Sequence, residues 1–417
     1  MQQLAPTATQ EREQFMDVLR GFAILGIFIA NLAGFSWYFP ESGISSPWLL
    51  PGPDRTMSFL HQMFIEGKFY SIFSLLFGWG IALQVKRGAA RGIDAVPVVK
   101  RRLRWMLLLG AVHLLIWSGD IVFLYALLGF LLLALRKLSD RAMLTTGAIL
   151  ILLPIVLYAA KLHWPILAAP SGLMFQTGSE VLAKTNGVVV MSDSEIAAYL
   201  AKASWWEVLK TNLAGFFYRY GYLFFVSRIP KVLGVFLIGY ALGRSGFYNR
   251  IGENKESVYR IMGAGFLIGL PANYILARYM SYHGGDYFQL TPNGFYQTIA
   301  YAFGVVPLAI AYTGTLMLLY RNAGKLLSVL APVGKMAFSN YLMQSLIGSV
   351  VFLGAGLGFI GKVGPVCYTI FGVCVFIVQI LLSHLWLRYF NYGPVEYLWR
   401  SATYRQWQPM RKMTNSL

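Results

Sequence analysis

Apolar blocks of roughly 20 residues recur along the whole chain, and this feature decides what the chain can fold into. A helix of that length rises about 30 Å, the thickness of the hydrocarbon core of a bilayer. About ten such blocks fit within the 417 residues. The alternating ten-residue segments typical of a transmembrane β-barrel are absent from the sequence. The sequence therefore predicts an all-α fold, a polytopic transmembrane helical bundle with about ten spans.

Composition excludes the other broad classes. Only 12% of the residues are charged and 57% are hydrophobic, whereas soluble domains carry about 25% charged residues. A soluble globular or disordered chain is therefore excluded. The sequence has no P-loop, no paired His or Cys spacing for a metal and no Gly-x-Ser-x-Gly elbow. ATP-driven transport and zinc hydrolysis have no support, and we expect no metal.

The basic residues predict an orientation in the membrane. Lys and Arg total 35 against 17 Asp and Glu. They gather in short segments between apolar blocks, which is the positive-inside pattern. The basic residues are not interleaved with stacking aromatic residues, so nucleic-acid binding is not indicated. With ten spans, the segments 86–104, 136–141, 244–255, 321–325 and the C-terminal tail share one side. Both termini are then predicted to be cytoplasmic.

Four regions follow from this pattern. Residues 1–160 hold five spans, of which the second covers roughly 59–85. Residues 161–228 form an outward-facing segment with a short amphipathic helix. Residues 229–393 hold five more spans, and 394–417 form a cytoplasmic tail. The sequence leaves open whether residues 211–226 cross the membrane as an eleventh span.

Polar side chains inside the predicted spans are candidate functional residues, because ionisable groups are costly in hydrocarbon. On the first span, Asp17 and Arg20 can pair at i, i+3, and Asn31 lies about three turns further along the same face. On the second span, Glu66 and Lys68 lie two positions apart and so need different partners, with Gly67 between them marking a break or a close helix contact. The structural alternative for all of these charges is an ion pair that fixes a helix end or holds the bundle.

The pair His113 and Asp120 gives the sharpest local signal. They lie about two turns apart, shortly before Tyr125, and a His oriented by a carboxylate is the usual arrangement of a general base. A buried structural pair is the alternative. On the ninth span, Asn340 and Gln344 form an i, i+4 pair that either joins helices by hydrogen bonds or lines a polar cavity.

Five phrases of the sequence are distinctive in combination. They are 16–23 with Asn31; 64–69 with 73–78; 101–103 through His113 to 119–121 and 125–126; 333–337 with Asn340, Tyr341 and 344–345; and 393–400. Together they resemble the YeiB-like bacterial membrane proteins, a family catalogued as a domain of unknown function. The resemblance covers nearly the whole chain and implies a multi-pass protein of the bacterial inner membrane.

The first phrase, Asp-x-x-Arg-Gly followed by Asn31, is also similar, more distantly, to transmembrane acyltransferases such as the lysosomal heparan-glucosaminide acetyltransferase. That resemblance implies transfer of an acyl group from a cytoplasmic acyl-CoA to an acceptor, often a sugar, with no tightly bound cofactor. Those enzymes use a His in the first outward loop. Here the first His is His61, which lies in the second predicted span.

The leading hypothesis is a membrane acyltransferase in which His113 deprotonates the acceptor and Asp120 holds the His113 tautomer. Arg20 and Lys68 would meet anionic parts of the acyl-CoA donor. The predicted substrate-binding residues are Asp17, Arg20, Asn31, Glu66, Lys68, Tyr125, Asn340 and Gln344.

Two other functions use the same residues. A transporter or exporter of a small anionic metabolite would employ the buried charges along an alternating-access path. A non-catalytic membrane protein would employ them only to hold the helices together. In each case the expected partners are the lipid bilayer and, for the first two functions, a small molecule such as a sugar, and no nucleic acid.

Overall fold

The computed structural model describes residues 14–38, 45–189, 193–247, 255–283 and 290–412. Over these ranges the chain forms sixteen α-helices joined by short connections. They are α1 (Gln14–Ser36), α2 (Pro51–Phe64), α3 (Lys68–Ala90), α4 (Val96–Ile116), α5 (Val122–Leu135), α6 (Asp140–His163), α7 (Ala169–Asn186), α8 (Asp193–Leu200), α9 (Trp205–Phe225), α10 (Arg228–Ser245), α11 (Lys255–His283), α12 (Pro292–Leu327), α13 (Ala331–Lys335), α14 (Ala337–Phe352), α15 (Pro365–Tyr389) and α16 (Pro394–Tyr404).

The predicted all-α membrane fold is confirmed. Six helical stretches of the described chain are long and apolar enough to cross a bilayer, and the bent pair α9 and α10 makes a seventh if it counts as one crossing. The helix α5 is apolar but has only 14 residues. The figure of ten spans and the cytoplasmic position of both termini stay predictions.

Two spans that hydropathy predicts as continuous are divided in the structure. The span predicted over 59–85 breaks at 65–67 into α2 and α3, where Gly67 has a left-handed φ of 83°. The ninth predicted span, near 326–355, divides at Met336, between α13 and α14. The charges Glu66 and Lys68 therefore flank a helix break instead of lying in the middle of a helix. Of the two alternatives for Gly67, the structure has the break, and it also has the close contact, with Tyr301 and Val305 of α12.

The segment predicted to face outward, 161–228, is helical over most of its described length. Helix α7 packs against α9. Helix α9 begins at a capping box made by Ser204 and Glu207, so its start is defined by local hydrogen bonds. At its other end the chain turns by 74° into α10, and Ser227 at this corner has a φ of 51°. The stretch 211–226 is thus the greater part of α9.

Polar contacts join connecting segments at each end of the bundle, as an alternating topology requires. At one end Arg244 donates to the Asp140 carboxylate at 2.7 Å, and Lys86 donates to the Arg244 carbonyl at 3.3 Å. At the other end the Gly361 N–H donates to the Ser36 carbonyl at 2.7 Å. The first of these ends unites three of the predicted basic segments, and we call it the basic end.

Glycines allow α3 and α10 to approach closely in the centre of the bundle. A Cβ atom added at Gly78 would overlap the Phe236 carbonyl oxygen, and one added at Gly239 would overlap the Leu75 carbonyl oxygen. Small residues at helix crossings are how membrane helices gain van der Waals contact, because lipid offers no hydrophobic driving force between helices. The α3–α10 crossing depends on both glycines.

Replacing Gly239 by Ala should lower the free energy of unfolding by about 1–3 kcal/mol, the usual cost of overpacking. The measurement is the thermal unfolding midpoint of the full chain in detergent. Gly263→Ala on α11 is the matched control, because the space around Gly263 is open and Ala is favoured over Gly in a helix by about 1 kcal/mol. Equal midpoints for the two variants would contradict the close crossing.

Candidate functional site

The predicted pair of His113 and Asp120 is formed in the interior of the bundle. The Nδ1 atom of His113 lies 2.6 Å from Oδ2 of Asp120, and the two side chains are 1% and 0% exposed. Helix α4 ends at Ile116, so the pair bridges the turn between α4 and α5 and does not lie along one continued helix. The other Asp120 oxygen accepts the Phe123 N–H at 2.7 Å, which fixes the carboxylate at the start of α5.

This hydrogen bond determines how the imidazole of His113 is presented. Beside an ionised carboxylate, which only accepts hydrogen bonds, a neutral imidazole carries its hydrogen on Nδ1 and presents a lone pair on Nε2. The Nε2 atom is buried and has no hydrogen-bond partner among the described residues. The His113 ring lies beside the ring of Tyr341, with centroids 5.1 Å apart. An oriented imidazole with a vacant nitrogen is the arrangement required of a general base.

A cavity of ≈ 240 Å³ approaches this pair from the basic end. Its inner part is apolar and includes Ile27 of α1 and Met106 of α4. Ile121, the residue after Asp120, and Tyr341, whose ring faces His113, also line it. The inner end of the cavity therefore lies next to the His113–Asp120 pair, separated from it by the Tyr341 side chain.

The mouth of the cavity is strongly cationic. Its lining includes one acidic residue, Glu396, which accepts the Phe338 N–H at 2.7 Å and the Ser339 hydroxyl at 2.5 Å. The guanidinium of Arg102 lies 4.2 Å from the centre of the Trp399 ring. The cationic lining residues are Arg20, Arg87, Arg102, Lys335 and Arg400.

A single helix links the mouth to the His–Asp pair. On α4, Arg102 precedes His113 by eleven residues, which corresponds to about 16 Å along the helix axis. The residues Leu103 and Met106 line the cavity between them. Positive charge at the mouth and apolar walls inside suit a ligand with an anionic head and an apolar tail.

Of the residues predicted on α1, Arg20 lines the cavity, and Asp17 orients the Arg20 side chain. The Arg20 Nη1 atom donates to the Asp17 carboxylate at 2.7 Å, as the i, i+3 spacing predicted. Arg20, Ile24 and Ile27 line the cavity at helical spacing. Asn31 continues this row one turn beyond the innermost lining residue.

The structure places Asn340 and Gln344 in bridges between α14 and α15, not in the cavity lining. Asn340 Nδ2 donates to Ser383 Oγ at 3.1 Å, and Gln344 Nε2 donates to Gln379 Oε1 at 2.7 Å. Gln379 in turn donates to the Asn340 carbonyl at 3.1 Å. These contacts match the structural alternative, in which amide side chains join helices.

Tyr125 likewise has a structural position. Its hydroxyl lies 2.5 Å from Ser74 Oγ and 2.9 Å from the Tyr70 carbonyl oxygen, so it ties α5 to α3. Its ring also packs edge-on against Phe236 of α10, with centroids 4.9 Å apart. The structure thus separates Tyr125 from the cavity lining.

Glu66 and Lys68 have different partners, as their spacing predicted. Glu66 Oε1 lies 3.9 Å from Arg228 Nη2, and Lys68 Nζ donates to the Gln62 carbonyl at 2.6 Å. Neither lines the cavity beside His113. They belong to a second polar cluster near the start of α10.

His61 has a structural role in the described chain. Its Nδ1 lies 3.2 Å from the Tyr368 hydroxyl, and its Nε2 lies 2.9 Å from Thr369 Oγ1. Both ring nitrogens are therefore engaged with α15. His61 does not present a vacant nitrogen of the kind that His113 presents.

Sequence reasoning missed the other residues of the mouth because it assigned the basic segments to topology alone. Arg102 lies about three turns before His113 on the same helix, so helical spacing could have placed them on one side of a cavity. Trp399 and Arg400 fall in the last of the distinctive phrases, far from the first along the chain. Only the folded bundle brings these segments together.

The fold and the cavity define a polytopic α-helical membrane protein with a polar interior site. The family model "Protein of unknown function (DUF418)" matches residues 242–406. The uncharacterized protein YxaH of Bacillus subtilis is 32% identical over 433 residues, covering 99% of this chain and all of that protein. The uncharacterized protein YeiB of Escherichia coli is 28% identical, covering 97% of this chain and all of that protein.

The chain therefore belongs to the DUF418 family of proteins of unknown function. The resemblance to YeiB-like proteins is confirmed. No solved structure matches the chain.

The bridges between α14 and α15 predict a measurable coupling. Gln344→Leu and Gln379→Leu, singly and together, form a double-mutant cycle on the free energy of unfolding. We expect a coupling of about 0.6–2 kcal/mol, the range of interhelical hydrogen bonds in membranes. Strict additivity of the two substitutions would contradict the bridge.

Proposed function

We propose that this protein is an acyltransferase of the bacterial inner membrane. In this proposal it moves an acyl group from a cytoplasmic acyl-CoA to an acceptor such as a sugar. The observation that carries the proposal is the buried His113–Asp120 pair, which has an unpartnered nitrogen and packs against Tyr341, a lining residue of a cavity with a cationic mouth.

The cavity suits an acyl-CoA in both charge and polarity. Such a donor carries its phosphate groups at one end and its thioester and acyl chain at the other. Arginine and lysine at the mouth are the side chains that bind phosphates best. The apolar inner walls suit the acyl chain. The basic end faces the cytoplasm under the positive-inside rule, which is the compartment that supplies acyl-CoA.

The proposed reaction is a single acyl transfer. Nε2 of His113 takes the proton of an acceptor hydroxyl or amine while the acceptor oxygen or nitrogen bonds to the thioester carbon. The carbon–sulfur bond then breaks, and the CoA thiolate leaves and takes the proton from the imidazolium. Asp120 stabilises the imidazolium charge in surroundings of low polarity. A change in the Tyr341 rotamer would open the path from the cavity to Nε2.

Removing the base tests the proposal. With purified protein, radiolabelled acetyl-CoA and membranes lacking the protein as the acceptor source, we expect His113→Ala to lower label transfer by about 10²–10⁴-fold, the usual contribution of a general base. His384→Ala is the matched control, because that half-buried His lies on α15 away from the cavity and should keep full activity. Normal folding is checked from the thermal midpoint.

The same assay tests how Asp120 acts. Asp120→Asn should lower label transfer and move the pH dependence of the remaining activity, because Asp120 acts by positioning and stabilising His113. A variant that only weakened folding would leave the pH profile in place. Transfer that survives His113→Ala would contradict His113 as the base. Uptake of an unmodified solute into proteoliposomes without acyl transfer would contradict the acyltransferase and favour the transporter.

The role of the cavity mouth in binding the donor is tested by comparing the effects of a substitution on KM and on kcat. Arg102→Gln should raise KM for acetyl-CoA by about 10- to 150-fold, since one charge-assisted hydrogen bond is worth about 1.5–3 kcal/mol, and should change kcat little. Arg260→Gln removes an equal charge from an exposed i, i+4 pair on α11 and should leave KM unchanged. An unchanged KM for Arg102→Gln would place the donor elsewhere.

A further inference from the structure

A second polar cluster lies at the opposite end of α10 from the basic end. It contains Glu66 and Lys68 at the α2–α3 break, Arg228 and Lys231 on the first turn of α10, and the rings of Tyr70, Tyr222 and Tyr301. Arg228 and Arg244 are sixteen residues apart on α10, which corresponds to about 24 Å. We call this group the Lys231 cluster. It is separate from the cavity beside His113.

Lys231 is the unusual member of the cluster. The residue is 2% exposed, and its Nζ has no hydrogen-bond partner among the described residues. It lies over two ring faces, with the Tyr301 centroid at 3.8 Å and the Tyr70 centroid at 5.1 Å. An ammonium group has three donors, and ring faces do not replace the hydrogen bonds it loses on leaving water.

Basic side chains outnumber acidic ones in the cluster. Arg228, Lys231 and Lys68 are buried, and Glu66 is the carboxylate beside them, 3.9 Å from Arg228 Nη2 and 32% exposed on its side chain. A buried ammonium group is stable only beside a counter-ion or hydrogen-bond acceptors. An anion bound at this point would supply both to Lys231.

A small cavity lies where such an anion would bind. Its volume is ≈ 30 Å³, and its lining includes Ser227, Arg228, Lys231 and Thr298. That volume holds about two or three water-sized groups, which matches the carbon and two oxygens of a carboxylate. The guanidinium of Arg228 can bind a carboxylate with two parallel hydrogen bonds, and the N-terminus of α10 adds partial positive charge.

We propose that the Lys231 cluster is a binding site for a carboxylate, either free or at the head of an aliphatic chain. Arg228 and Lys231 would supply the donors. The apolar part of the lining, which includes Ile151, Pro154 and Ala302, would contact the carbons next to the carboxylate. The site depends on neither His113 nor acyl-CoA, so it stands apart from the proposed reaction.

The test is the thermal unfolding midpoint of the full-length protein in detergent at constant ionic strength. Sodium acetate should raise the midpoint, and the isosteric neutral probe acetamide should not. Sodium octanoate and octanamide form the second pair of probes. A rise with acetate identifies a free carboxylate, whereas a rise with octanoate alone identifies a carboxylate borne on a chain. Both outcomes support the site.

Variants connect the shift to the cluster. Lys231→Gln should weaken carboxylate binding at least 10-fold, whereas Lys231→Arg, which keeps the charge, should retain most of it. Arg260→Gln removes one exposed cation and should change nothing. Should Lys231→Gln fail to fold, Arg228→Lys must weaken binding several-fold through loss of the paired donors. Equal shifts with acid and amide, no shift with either acid, or shifts unchanged in these variants would overturn the site.

Discussion

A charged or polar group is strongly unfavourable in hydrocarbon unless it has a partner, and the rest of this structure depends on that constraint. The buried polar side chains of the described chain meet it in two ways. Some are engaged with a neighbouring helix, as both ring nitrogens of His61 are with α15. Others keep an atom without a hydrogen-bond partner among the described residues. Lys231 does so in the lining of the small cavity, and His113 does so beside Tyr341, which lines the larger cavity. The second group is where ligand chemistry is expected.

Helix α4 and the turn after it organise the candidate site. The helix carries Arg102 at the cavity mouth, Met106 along the wall and, about two turns further on, His113 behind the Tyr341 ring. The turn then returns Asp120 to the His113 ring, and the Phe123 N–H holds the carboxylate at the start of α5. Because these groups lie on one short stretch, their relative geometry depends little on the remote helices. The other walls of the cavity come from the helices α1, α3, α14 and α16.

The fold class was predictable because hydropathy reports burial in lipid directly. The Asp17–Arg20 pair, the break at Gly67 and the His113–Asp120 contact were also predictable, since each depends on spacing within a few turns. The positions of Asn340 and Tyr125 were not. Whether a polar side chain faces a cavity or a neighbouring helix depends on contacts between elements far apart in the chain.

The two cationic sites illustrate the same limit. Trp399 Nε1 donates a hydrogen bond to the carbonyl of Arg102, which lies 297 residues earlier in the chain. Lys231 on α10 contacts Tyr70 on α3 and Tyr301 on α12. From sequence alone, the positive-inside rule accounts for basic residues in loops, and the membrane–water interface accounts for a basic residue near the end of a span. Neither indicates a binding site. Only the assembled bundle shows which of them converge.

The most direct test is an experimental structure of the full-length protein with a non-hydrolysable thioether analogue of acetyl-CoA. We predict that its phosphate groups lie among Arg20, Arg102 and Arg400, and that its acyl end lies beside Nε2 of His113 after a movement of Tyr341. An analogue bound outside this cavity, or a cavity that stays closed to it at saturating concentration, would contradict the proposal that His113 and the cationic mouth serve one reaction.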